Sequence, residues 1–413
     1  MIPALPSARR TPGDSFAGWL LRPYLDLAPA ETGPIHTLAL EECWRAFADP
    51  GRPRFVRQSS LPPAFRAQLV AEAGDARYGV EDPRALPAEL RSERWSALCE
   101  AMDRYAGLPA ETRCRLLHLL HSLCFFSVAM EVAGADAETV DIEYCLASCR
   151  YAAGSRGPLA GYRGADLSAF EALAERAPKG STARFDSAMK VLVHKAKTGA
   201  SLKELERWAG RAETALSSAL AALDTFAAGL MTSRFYRGAG FVPHRREDRK
   251  ELERIMALAE RHAAGLEAND GAQRLLRSEN LHAVLESRTK EALWRGELEK
   301  ALERATRITE IDPCDAKAHA EVGQVRVARK EWREAAEAYL RAATLGAPAA
   351  AIGRYMAGVC YRELGMDALA GFLFKEALEV DPLGISSRDQ LHDMAPDALL
   401  DALNRWSLST LRM

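Results

Sequence analysis

Four side chains that bind metals or act as nucleophiles recur on one stretch of chain: Cys114, His118, His121 and Cys124. At 100° per residue they fall within a stripe about 120° wide on one helix. Cys114 and Cys124 stand about 15 Å apart along that helix, so the four do not share one ion. A pair such as His118 and His121, joined by Cys145 or Cys149 from the next helix, offers the nitrogen and sulfur donors that zinc takes. The competing reading is a row of packed core residues on a helix that is apolar almost all round. A second grouping, Glu279-x-x-His282, has the spacing used in helical di-iron centres. Those centres need two such motifs and two further Glu, and one motif is present. A third grouping lies between Ser233 and Lys250, where Arg234, Arg237, Arg245, Arg246 and Arg249 alternate with Phe235, Tyr236 and Phe241. Arginine beside aromatic rings suits a phosphate, a nucleic acid or an acidic peptide. Glu247 and Asp248 dilute that field, and Gly238 to Pro243 predicts a loop between two helices.

Other chemistries lack their signatures. There is no phosphate-binding G-x-x-x-x-G-K-[ST] loop, no G-x-S-x-G elbow and no H-E-x-x-H helix. No cofactor is expected, and a non-enzymatic role is favoured over an enzymatic one.

The elements that must position these residues are helices. Ala, Leu, Arg and Glu dominate the periodic stretches, and runs of alternating β-branched residues are missing. Helices are predicted over 62–73, 87–106, 109–133, 136–153, 166–177, 181–197, 201–236 and 246–265. The 413 residues are 48% hydrophobic and 27% charged with a net charge of −2. These values exclude a disordered, collagen-like or multi-pass membrane chain. The longest apolar run, Leu116 to Val132, is 17 residues and carries two His and a Glu. A membrane span needs about 20 apolar residues, so a buried core helix is expected. Met1 to Arg10 contains Pro3 and Pro6 and no apolar segment, which reads as no signal peptide. The eight cysteines then read as reduced, mostly buried thiols of a cytoplasmic protein.

Charge and punctuation divide the chain. Residues 1–60 form a Pro-rich lead with short helices, and 61–178 an N-terminal helical domain. Residues 179–281 are a basic helical middle, with 18 basic against 13 acidic residues. The Gly154–Gly164 stretch is the best mobile connector by composition.

Internal similarity appears only towards the end. Within 351–382, Gly358, Tyr361, Gly365, Ala370, Phe374, Ala377 and Pro382 recur at fixed offsets. In the preceding unit, 316–350, Gly323, Trp332, Ala335, Tyr339 and Ala342 stand at matching spacing, with Arg326 where an aromatic is usual. An earlier unit, 282–315, keeps Gly296, Ala301 and Ile311-Asp312-Pro313, with Thr289 at the small-residue position. The pattern resembles the tetratricopeptide repeat (TPR) family, whose unit is two antiparallel helices of about 34 residues in all. The resemblance covers about 100 residues and implies an all-α chain. In that chain an N-terminal helical domain precedes a helical-hairpin solenoid, capped by the segment 383–413 with a helix near 396–411.

The resemblance further implies a groove lined by the first helix of each pair. In this chain that is Glu286, Lys290 and Trp294; then Lys317, Glu321, Gln324 and Ala328; then Ile352, Tyr355, Met356, Val359 and Arg362. Family members that clamp a terminal carboxylate carry Lys and Asn where this chain has Glu286 and Lys290, so that clamp is not expected. The implied function is a non-enzymatic adaptor or sensor for a peptide or protein partner, with an apolar anchor near Tyr355 and Met356. Two alternatives stay open. One is an enzyme or metal-binding protein with a pocket in the N-terminal helices. The other is a nucleic-acid-associated regulator using 234–250, disfavoured by the net charge. A homo-oligomer is compatible with either.

Overall fold

The computed structural model describes residues 20–22, 24, 25, 34–57, 63–154, 165–346 and 349–381. Among them every regular element is a helix, as the composition requires. The order begins with α1 (Ile35–Ala48), α2 (Pro63–Ala73), α3 (Glu93–Asp103), α4 (Ala110–Ser122), α5 (Phe126–Ala133) and α6 (Val140–Gly154). It continues with α7 (Ser168–Arg176), α8 (Thr182–Lys197), α9 (Leu202–Ala219), α10 (Thr225–Ala239), α11 (Phe241–Arg245) and α12 (Arg249–Ala264). It ends with α13 (Gly271–Arg295), α14 (Leu298–Ile311), α15 (Ala316–Ala328), α16 (Trp332–Thr344), α17 (Ala350–Glu363) and α18 (Asp367–Val380). The Gly154–Gly164 connector, much of the Pro-rich lead and the 383–413 cap fall largely or wholly outside the described residues.

Side-chain caps start many of these helices. Ser92, Ser181, Ser201, Asp224 and Asp248 each accept from a backbone N–H of the first turn. Each such cap contributes about 1 kcal/mol. The caps also explain where periodicity misplaces an end. The predicted 87–106 helix begins only at Glu93, after a 3₁₀ turn over Ala88–Leu90, because Ser92 is the first residue able to cap it. The predicted 201–236 helix breaks after Ala222, where Asp224 caps α10. The predicted 109–133 helix breaks at Cys124, whose φ of 66° ends α4 and redirects the chain into α5. The Gly238–Pro243 loop is a correction of the opposite kind, since all of these residues except Gly240, the turn between the two helices, belong to α10 and α11. A Cβ at Gly238 would stand 2.3 Å from the Met189 methyl, so this glycine serves close helix packing, not a turn.

The chain divides into two compact units, residues 20–71 with 75–287, and residues 72–74 with 288–381; α13 runs through the junction. In the first unit, Trp44, Trp95 and Phe125 pack ring on ring beside α4. A second core holds Tyr151, Phe170, Phe185, Trp208 and Phe235, drawn from α6 to α10. The junction at 178 lies between α7 and α8, which pack on each other.

The second unit is a TPR-like stack of helical hairpins. α15 packs on α16 and α17 on α18, while α14 packs on α15 and α16 on α17. The small-residue rule is visible in its geometry. A Cβ at Gly358 would stand 2.6 Å from the Phe374 ring, and one at Gly323 2.9 Å from the Tyr339 ring. The aromatic on each second helix therefore fills the space that the glycine on the first leaves open. At the tight turns Gly296, Lys330 and Gly365 adopt φ of 77°, 62° and 70°. Glycine takes that region freely, whereas Lys330 bears its steric cost.

Candidate functional site

The residues assigned to the groove from the repeat register lie on α13, α15 and α17. Lys290 Nζ, near the end of α13, lies 3.7 Å from Glu321 Oε1 of α15. Lys317, Gln324 and Ala328 are exposed, and Ile352 is 52% exposed. Other members of the set are committed inward. Tyr355 meets the Phe374 ring at 5.8 Å and, with Val359, packs on the Ala370–Phe374–Leu378 core. Met356 packs against the core around Tyr339 and Cys360. The open apolar point on this face is therefore Ile352, with Tyr355 and Met356 beneath it as support. Trp294 and Arg362 are half-buried. Glu286 sits on the part of α13 that belongs to the first unit.

The metal-ligating residues separate more sharply. Cys114 and His118 lie one turn apart on α4, and Cys145 faces them from α6. Cys145 Sγ is 3.2 Å from His118 Nε2 and 3.9 Å from Cys114 Sγ. His121 is not part of this group: its ring packs against Phe126 at 5.2 Å. Cys149, one turn beyond Cys145, is likewise outside it, and burial pushes its thiol up to about 12. Arg54 joins the group from the loop after α1. Its Nη1 donates to Cys114 Sγ at 2.9 Å and its Nη2 to Asp141 Oδ2 at 2.6 Å. The Cys145 S–H, His118 and Arg54 hold the Cys114 thiol well below the usual range, while burial pushes its partner Cys145 up. A small cavity with room for about one water adjoins His118, Arg54, Cys43 and Phe55.

The Arg-rich segment does not form one surface. Arg234 turns inward and pairs with Asp186 at 2.8 Å, and Arg237 is half-buried beside it on α10. Arg245, Arg246 and Arg249 are exposed on α11 and α12, where Arg246 pairs with Glu206 at 2.6 Å. Opposite Arg234 stands Lys190 of α8, which the sequence reading missed. Its ammonium lies 4.6 Å from the Tyr151 ring centroid, and no carboxylate among the described residues pairs with it. Burial, then Lys197 and Arg234, lower its pKa to about 8. Burial and then Lys190, His118 and Arg57 lower His121 to about 3, so that imidazole is neutral. No helix among the described residues is long and apolar enough to cross a membrane.

No protein-family model matches the chain. No curated protein matches it either. Solved structures do. YrrB, a TPR protein with an unusual peptide-binding site, is 19% identical over 54% of this chain and 97% of its own, with a TM-score of 0.34. The human IFIT1 dimer with PPP-AAAA is 13% identical over 96% of this chain and 93% of its own, with a TM-score of 0.41. The Cut9–Hcn1 hetero-tetramer of the APC/C is 13% identical over 93% and 70%, with a TM-score of 0.30. These likenesses concern the helical-hairpin fold alone.

Proposed function

We propose that the chain is a non-catalytic adaptor or sensor of TPR type, and that its hairpin stack holds a peptide or protein partner along the first helices. One observation carries this reading. The Lys290–Glu321 pair links the first helices of two consecutive hairpins, and Lys317, Gln324 and Ile352 are exposed on first helices. An exposed isoleucine on a first helix suits a segment with an apolar anchor. Arg234 is engaged by Asp186 and Arg237 is half-buried, which leaves a smaller basic surface for a nucleic acid and supports a protein partner.

Affinity capture with the full chain tests it. Ile352→Asp combined with Lys317→Glu should lose at least tenfold in recovered partner while the helical circular-dichroism signal is kept. Ile352 and Lys317 are suited to this because neither fills the core; Tyr355 and Met356 do, and their loss would weaken the hairpin itself. Equal recovery by wild type and double variant would remove the groove from the account.

A further inference from the structure

We infer that Cys114, His118 and Cys145 bind one zinc-class divalent ion that ties α4 to α6. The inference starts from spacing. Residues i and i+4 of a helix share a face, so Cys114 and His118 point the same way from consecutive turns of α4. α6 packs on α4 and brings Cys145 against both. The three donor atoms lie within 4.8 Å of one another. A tetrahedral ion with Zn–S of about 2.3 Å and Zn–N of about 2.05 Å separates its donors by about 3.5–3.8 Å. The observed 3.9 Å between sulfurs and 3.2 Å between sulfur and Nε2 bracket that range. Small side-chain movements would bring all three into the first coordination sphere.

The surroundings suit an ion held by two thiolates. Cys114 and Cys145 are 1% and 2% exposed. Two thiolates with a neutral imidazole and a doubly charged cation sum to zero, which a buried site tolerates and two lone thiolates would not. Arg54 supplies the outer support, an N–H to the Cys114 sulfur, and is itself oriented by Asp141. Among the described residues no further His, Cys or acidic side chain joins the cluster, so the fourth position falls to a water.

Cobalt(II) and zinc(II) added to the reduced, metal-stripped full chain test this directly. One equivalent of cobalt should produce the thiolate charge-transfer and ligand-field absorption of a tetrahedral site, displaced stoichiometrically by zinc. Cys114→Ser, Cys145→Ser and His118→Ala should each weaken zinc binding by more than a hundredfold, and Arg54→Ala by about tenfold to a hundredfold. Cys149→Ser and His121→Gln should bind as wild type. No cobalt signal from the reduced wild type would overturn the inference, and that measurement needs no variant to fold. Equal losses in Cys149→Ser and Cys145→Ser would overturn the assignment of these ligands.

Discussion

Lys190 shows how much a single half-buried charge decides. Its pKa falls from 10.5 to about 8, so between those values the unfolded chain binds more protons than the folded one. Stability therefore rises with pH across that window, and below it the full cost of burying the charge is present. Relative to Lys190→Met, the wild type should gain stability from pH 8 to 10 in chemical denaturation; parallel pH curves would contradict the burial. His121 acts in the acidic range with the same sign. Its folded pKa of about 3 lies below 6.5, so stability is lost as pH falls between them, and His121→Gln should flatten that decline. At this scale the sequence was partly legible. The sequence places His118 and Cys145 among the candidate ligands but pairs His118 with His121, although Cys114 stands one turn away on the same helix. Arg54 was hidden because it reaches Cys114 across 60 residues from a Pro-rich segment with no periodicity. Lys190 was hidden because a lysine on an amphipathic helix ordinarily faces water.

At the scale of elements, the repeat pattern was readable because each of its residues has a local geometric duty. Gly358 leaves room for Phe374 and Gly323 for Tyr339, and substituting Gly358→Val should cost about 1–3 kcal/mol by overpacking. Lys330 occupies the turn position held by glycine in the flanking hairpins, at φ 62°. Lys330→Gly should therefore stabilise the chain by up to about 1–2 kcal/mol, read from the denaturation midpoint. A loss of stability would mean that contacts of Lys330 outweigh its backbone cost. Helix ends were less legible. Periodicity continues through Cys124 and through Leu220–Asp224, and only the buried turn and the Asp224 cap break it. Gly238 and Gly240 misled for a related reason: glycine marks a turn and a close helix contact equally, and here Met189 and Met256 press against them.

The chain divides into two compact units, and the sequence boundary between them falls within α13. In a hairpin stack each unit leans mainly on its neighbours, so damage stays local. Hydrogen exchange of Gly358→Val should quicken over α15 to α18 and leave α3 to α8 near wild type. Acceleration throughout would mean that the units unfold as one. The first-helix face of the stack is the proposed partner surface. Hydrogen exchange of the full chain with its captured partner tests that most directly. The account predicts slowed exchange over Lys317–Ala328 and Ala350–Glu363, with α16 and α18 unchanged. Protection confined to α16 and α18, or to the first unit, would contradict it.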